Sequence, residues 1–222
     1  MQIRRRRRQV SAEVVARYNE LPVANISDCM ARMTAGGAGL RPMHKQGRLG
    51  GPALTVKTRP GDNLFIHKAI ELAVPGDVLV VDGGGDLTNA LIGEIMVTYA
   101  RTRGIAGFVM YGAIRDVDMI SAGDFPVYAA GVTHRGPYKD GPGAINVPIA
   151  IDGMVIEPGD LIVGDADGIL CVPYDVVDAV ARAAADKGTA EAKSMANIAA
   201  GTHDTRWIDA SLKRIGCNPE PE

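Results

Sequence analysis

Glu94 is followed, after the twenty residues 95 to 114, by the adjacent pair Arg115-Asp116. Carboxylates in such a group can hold a hard divalent ion through oxygen and water, while the guanidinium grips a carboxylate or carbonyl oxygen. The run Gly93-Glu94-Ile95-Met96 adds another kind of donor. If a helix begins there, the amides of Ile95 and Met96 lie among its unpaired first-turn N–H groups and can receive an anionic oxygen. Taken singly, these residues have plainer roles. Acids favour helix N-termini, which accounts for Glu94. Asp116 can cap a short helix through Ile120, with Arg115 as its surface partner. Brought together, they suit a small anionic oxygen substrate bound with Mg²⁺ or Mn²⁺.

The elements around them predict that they do come together. Val78 to Val81 is an apolar run bounded by Pro-Gly-Asp and Asp-Gly-Gly-Gly, which predicts a buried strand. Good helix formers run from about Glu94 to Arg103, and Gly104 sits where a left-handed C-terminal cap belongs. Ile105 to Tyr111 predicts a second strand, parallel to the first because a helix separates them. Such a β-α-β unit places the start of its helix and the end of its second strand on one sheet edge, where open α/β sheets bind ligands. The glycine-rich Asp82 to Asp86 turn lacks both GxGxxG and the P-loop Gly-Lys-Ser/Thr, so it reads as a turn passing close to the sheet.

Elsewhere, helices are expected over Ser11 to Leu21 (Ser11 as N-cap, Pro22 as stop), from Ser27-Asp28 through Met33, and over Leu64 to Ala73 behind Asp62 or Asn63. Residues 34 to 50 read as a loop. Strands are expected at Pro52 to Thr58, Val127 to Ala129, Val147 to Ile151, Met154 to Ile156, Leu161 to Val163 and Ile169 to Val172, with Asp152-Gly153 as a hairpin turn. Pro-Gly-Asp occurs three times, at 60–62, 75–77 and 158–160, each time as a turn entering an element. The end of the chain reads as helices 174–187, 189–200 and 205–215. The last two are thinly apolar and are expected to pack on a neighbouring subunit.

Composition narrows the function classes. The chain has 222 residues, 46% hydrophobic and 23% charged, with a net charge of −2. That fits one domain over 1–222, with a helical arm at 1–22 and a helical extension at 174–222. The net charge gives no reason to expect nucleic acid as a partner. Arg4 to Arg8 is a local exception, read as a solvated terminus or a contact with an anionic partner or subunit neighbour. Cys29, Cys171 and Cys217 are odd in number and lack CxxC spacing, which predicts reduced thiols in the cytoplasm. No apolar run approaches the ~18 residues of a membrane span. His44, His67, His134 and His203 show no metal-binding spacing and read as structural, and there is no nucleophile elbow.

Glu94-x20-Arg115-Asp116, with Ser27-Asp28, Pro60-Gly61-Asp62-Asn63, the GEIM and YGAIRD segments and NVP…PGD…DADG…VP, resembles the 4-hydroxy-4-methyl-2-oxoglutarate/4-carboxy-4-hydroxy-2-oxoadipate aldolases and the RraA-like proteins. The likeness covers roughly Ile26 to Pro173. It implies an α/β fold, a compact αββα sandwich of the phosphohistidine-swivelling-domain type. It also implies a homotrimer or homohexamer with its sites between subunits. A divalent cation would sit on Asp116, largely through water, and a keto-acid substrate on the Gly93 to Met96 backbone and Arg115. Glu94 would hold a water used in proton transfer, and Asn63 would line the pocket. The implied reaction is release of pyruvate from a 4-hydroxy-2-keto diacid, with oxaloacetate decarboxylation as a companion. The alternative is a non-catalytic regulator of a ribonuclease or helicase. The inhibitor branch typically lacks the acid after the arginine, and this chain keeps it.

Overall fold

A computed structural model describes residues 1–31 and 39–220. In chain order the elements are β1 (Gln2–Ile3), α1 (Ala12–Asn19), α2 (Val23–Cys29), β2 (Arg41–Pro42), β3 (Leu49–Thr58), α3 (Leu64–Leu72), β4 (Val78–Asp82), β5 (Ala90–Ile92), α4 (Glu94–Thr102), β6 (Gly107–Ile114), α5 (Val117–Ala122), β7 (Val127–Val132), β8 (Gly143–Ile145), β9 (Ile149–Ile151), β10 (Met154–Ile156), β11 (Leu161–Asp165), β12 (Gly168–Val172), α6 (Val177–Ala199) and α7 (Arg206–Arg214).

The main sheet runs β1-β8-β3-β4-β6-β7-β2, and β3, β4, β6 and β7 are mutually parallel. Leu54, Leu79, Val81, Phe108, Met110 and Val127 bury one of its faces under Ile66 and Ile70 of α3, Met96 and Val97 of α4, and Ile120 of α5. Ala53, Val78, Val80 and Val109 point the other way, onto the β9-β10 hairpin and Ile162, Ile169 and Cys171 of the β11-β12 pair. Alternate residues of that pair, Leu161, Val163, Leu170 and Val172, face Tyr18 of α1, Ile26 of α2 and Val180 of α6. Period-two alternation in β11 and β12 thus feeds two cores at once, and the layers stack α-β-β-α. Contacts divide the chain into a unit at Met1–Ala184 and a second at Ala185–Glu222, which holds the end of α6 and all of α7.

The predicted β-α-β unit is present, with β4 and β6 paired in parallel and Gly104 at φ 71°. The hairpin is present too, with Asp152 and Gly153 both at positive φ between β9 and β10. Other expectations need correction. α2 begins at Val23 rather than at Ser27, because the Asp165 carboxylate accepts the Val23 N–H at 2.9 Å and caps the helix from outside. It ends at Cys29, with Met30 as its C-cap, short of the expected Met33, which itself lies outside the described residues. The strand expected at Val147 starts at Ile149, and 189–200 is no separate helix, since α6 passes through Gly188 unbroken. Strands β1, β2, β5 and β8 lie outside the expected strands, and the stretch 34–50 is not all loop, since it holds β2 and the start of β3 at Leu49. The Arg4 to Arg8 segment is no free tail: β1 pairs with β8, and Arg6 reaches Asp77 at 2.6 Å.

The three Pro-Gly-Asp segments are one device. Each closes a turn by an aspartate N–H donating to the residue before the proline: Asp62 to Arg59, Asp77 to Val74 and Asp160 to Glu157, at 3.0–3.1 Å. The middle glycines stand at φ 73°, 90° and 93°, a conformation open to glycine and strained for other residues.

Candidate active site

β5 is three residues long, buried throughout, and paired in parallel with the end of β6. That pairing sets Gly93, the residue that opens α4, directly against Arg115-Asp116: the Arg115 N–H donates to Ile92 O at 3.0 Å. Asp116 lies in the left-handed region, φ 59° and ψ 39°, which aspartate tolerates better than most residues. From there its Oδ2 accepts the Glu94 N–H at 2.9 Å, with Arg115 Nε 3.8 Å away. A Cβ on Gly93 would stand 2.3 Å from that same oxygen and 3.1 Å from Arg115 Cγ. The motif therefore closes on itself only because position 93 has no side chain.

These residues open on a cavity of about 320 Å³ that Asn63, Gly93, Ile95, Met96, Arg115 and Asp116 all line. Every expected site residue lies at it or on its rim, since Glu94 lines the neighbouring cleft that shares Arg115 and Asp116. The helix amides are not equally available. Glu94 N–H is taken by Asp116, and Met96 N–H donates to Gly93 O at 3.1 Å. Among the described residues, Ile95 N–H is the first-turn donor without a protein acceptor, so the expected pair of amides reduces to one. Asn63 is 2% exposed, and its Nδ2 donates to Leu91 O at 3.0 Å. Its Oδ1 is buried with no partner, a cost that a bound donor would relieve.

No group of three or more His, Cys, Asp or Glu able to cage a metal occurs among the described residues. The Asp116 side chain is 41% exposed, and among the described residues its Oδ1 has no protein partner. A single carboxylate oxygen at an open pocket suits a hard ion that keeps most of its waters, and not one held by a protein cage. The residues present fit Mg²⁺ or Mn²⁺ on those terms.

Two groups at the cavity escaped sequence reasoning. His67, expected to be structural, lines it, and so does Lys139. Burial chiefly, and then the Lys139 charge, push the His67 imidazole below its ordinary pKa. His67, on α3, stands four residues beyond Asn63, the helix's N-cap residue, the spacing of one helix face and a signal available in the sequence. Lys139 sits in an irregular loop, and no local pattern points to it.

Fold and site together define a layered α/β protein with a small, polar-lined pocket at the ends of parallel strands. The chain matches the RraA-like family, Aldolase/RraA, over residues 23–171, and it belongs to that family. A Halalkalibacterium halodurans protein named "Putative 4-hydroxy-4-methyl-2-oxoglutarate aldolase" is 42% identical over 165 residues, covering 74% of this chain and 79% of the relative. A Pseudomonas syringae pv. tomato structure described as an "uncharacterized protein" superposes with TM-score 0.78 at 27% identity, over 87% of this chain and 95% of the other. The "RNA-processing inhibitor RraA" from Thermus thermophilus gives TM-score 0.64 at 30% identity, over 69% and 93%. Among the described residues no helix is long and apolar enough to cross a membrane.

Proposed function

We propose that this chain is a divalent-metal-dependent pyruvate aldolase. It cleaves a 4-hydroxy-2-keto diacid, 4-hydroxy-4-methyl-2-oxoglutarate or 4-carboxy-4-hydroxy-2-oxoadipate, to pyruvate and a second keto acid, and it decarboxylates oxaloacetate. One observation carries the reading: a free helix amide, a guanidinium, a carboxylate with an unused oxygen and an orphaned buried acceptor line one pocket. The name of the Halalkalibacterium relative agrees with it. Reduced thiols and the family likeness further support a cytoplasmic homotrimer or homohexamer.

Asp116 would hold Mg²⁺ or Mn²⁺ through Oδ1 and water, and the ion supplies Lewis-acid polarisation of the substrate's keto group. Arg115 grips the carboxylate and keto oxygen at the pyruvyl end. The Ile95 N–H donates to the oxygen on which charge grows, an interaction that strengthens along the reaction. Glu94 positions a water that takes the proton of the C4 hydroxyl. The C3–C4 bond breaks as C4 becomes a carbonyl, and its electron pair forms the enolate of pyruvate. A proton returned through the same water to C3 completes the product. Oxaloacetate yields the same enolate when its C3–C4 bond breaks and carbon dioxide leaves.

The test is pyruvate release from a panel of 4-hydroxy-2-keto diacids and oxaloacetate, with and without Mg²⁺ or Mn²⁺. Metal-dependent release is expected, and silence across the panel overturns the reading. The likeness to the Thermus RNA-processing inhibitor favours a second reading, a ring that binds a ribonuclease or helicase without chemistry. The acid at Asp116 weighs against it, since such binding needs no metal ligand there.

A further inference from the structure

All three Pro-Gly-Asp turns close through the backbone, but only the second and third close through the aspartate carboxylate as well. Asp77 accepts the N–H of Val74 at 3.0 Å and Asp160 that of Glu157 at 2.9 Å, each the residue that opens its own turn. Asp62, 0% exposed, turns its carboxylate away from that local bond. Its Oδ2 accepts the N–H groups of Asp140 at 2.7 Å and Gly141 at 2.9 Å, together with the Arg59 guanidinium at 3.1 Å. Its Oδ1 accepts the Leu64 N–H at 3.0 Å. The Arg59 N–H, the counterpart of those of Val74 and Glu157, donates to Pro142 O instead. Asn63 N–H to Tyr138 O and Tyr138 N–H to Gly61 O add two bonds, and the Arg59 guanidinium lies 5.3 Å from the Tyr138 ring centre.

The segment 138–142 is therefore fastened at both ends to the turn that delivers Asn63 to the pocket. Between the fastenings stands Lys139, exposed, lining the pocket, and with no ion-pair partner among the described residues. A buried carboxylate is costly unless its lone pairs are used. Asp62 uses them to hold a loop that has no regular secondary structure to hold it.

We propose that Lys139 determines specificity for the second carboxylate of the keto acid, the one Arg115 does not grip, and that Asp62 is the residue that positions it. The inference deepens the aldolase reading and rests on its keto-acid pocket. A lysine is a flexible point charge, so a pinned backbone limits where that charge can lie. A diacid pairs it, whereas a monoacid leaves an unpaired ammonium facing the ligand, and that difference is what discriminates.

The experiment is calorimetric titration, in Mg²⁺, of wild type, Lys139→Met and Asp62→Asn with 2-oxoglutarate and with 2-oxopentanoate. These are uncleaved keto acids of equal length with two carboxylates and one. Wild type should prefer the diacid by at least about tenfold, the size of one hydrogen bond to a charged group. Lys139→Met should abolish the preference while leaving the monoacid affinity within about twofold. Asp62→Asn should reduce it and speed hydrogen exchange at the Asp140 and Gly141 amides. A general loss of stability would not move the ratio of the two affinities. Should Asp62→Asn not fold, Arg59→Met, at a half-exposed side chain, loosens the same loop and should lower the ratio in part. No preference in wild type, no binding of either acid, or a preference that survives Lys139→Met overturns the proposal. A ratio unmoved by loosening the loop overturns the role of Asp62. Failure of the aldolase reading looks different: the diacid preference stands, yet no hydroxy-keto diacid yields pyruvate.

Discussion

Asp116 Oδ2 accepts the backbone N–H of Glu94 at 2.9 Å, so the two ends of the motif meet at one oxygen atom. That bond uses the first donor of α4 and, among the described residues, leaves one oxygen of Asp116 and the amide of Ile95 without a protein partner, both residues lining the pocket. The spacing of twenty residues is what one helix, one turn and one strand require to return the chain to the edge it left.

Gly93→Ala tests that closure. Gly93 has φ −153°, an extended backbone open to any residue, so alanine carries no backbone penalty there. Its methyl would press on Asp116 Oδ2 from 2.3 Å and drive the carboxylate off the Glu94 amide. Pyruvate release should fall by about a hundredfold, the effect of a misplacement near 1 Å. The melting temperature should change by only a few degrees.

Asp116→Asn separates charge from shape. The amide oxygen can still accept the Glu94 N–H, so the turn keeps its form while the anionic oxygen is lost. Metal-dependent activity should drop at least about a hundredfold, as expected when several kcal/mol of charge stabilisation disappear. Mn²⁺ binding followed by electron paramagnetic resonance should weaken in parallel. Wild-type binding and turnover would remove Asp116 from the metal assignment.

What the sequence made legible is what is encoded locally. β4, α4 and β6 stood out because apolar runs and a run of good helix formers lie between Pro-Gly-Asp, Gly-Gly-Gly and Gly104. β5 did not, being three residues with no period to read, although it is what brings Gly93 to Arg115. β1 and β8 depend on the pairing of Gln2 with Ala144, which no local window contains. The start of α2 was missed for the same reason, since its cap comes from Asp165. Gly188 was expected to break a helix, but one glycine costs only about 1 kcal/mol amid alanine-rich neighbours. Of the site, Glu94, Arg115 and Asp116 were visible as a motif, whereas Lys139 reaches the pocket through the distant contacts of Asp62.

Within the arginine run, position decides energy. Arg6 pairs at 2.6 Å with Asp77, whose side chain is 1% exposed. Arg6→Met strands that carboxylate and should cost about 3 kcal/mol in urea denaturation. Arg5 is exposed and, among the described residues, makes no side-chain hydrogen bond or ion pair, so Arg5→Met should stay within about 0.5 kcal/mol. Equal losses would mean the run acts only through its total charge.

His67 should carry a pH signature. Burial first, then the Lys139 charge, lower its pKa below 6.5, while Glu71 opposes the shift. The unfolded chain therefore binds the proton more readily than the folded one. Stability from this group is present above the unfolded value and is lost as pH falls through the folded one. Nuclear magnetic resonance titration of the imidazole should show the depressed value, and Lys139→Met should move it part of the way back up. An unmoved value would mean the lysine charge does not reach the ring.

Arg115 distinguishes catalysis from binding. Its side chain is 42% exposed, close enough to the Asp116 carboxylate to be oriented and open enough to meet a ligand. If the guanidinium only holds the keto acid in its ground state, Arg115→Lys should raise KM and leave kcat nearly unchanged. If it also meets charge growing on the enolate oxygen, kcat falls too, because that contact strengthens along the reaction. Lysine keeps the charge but loses the planar fork, so a two-pronged contact cannot be rebuilt. Loss of one such donor costs about 10²–10³ in kcat where it has been measured in other enzymes. We expect a fall in kcat of at least about tenfold, allowing for the retained charge. A higher KM should accompany it, for aldol cleavage and oxaloacetate decarboxylation alike. Steady-state kinetics on both substrates decide it, and wild-type values in Arg115→Lys would place the reacting oxygen elsewhere in the molecule.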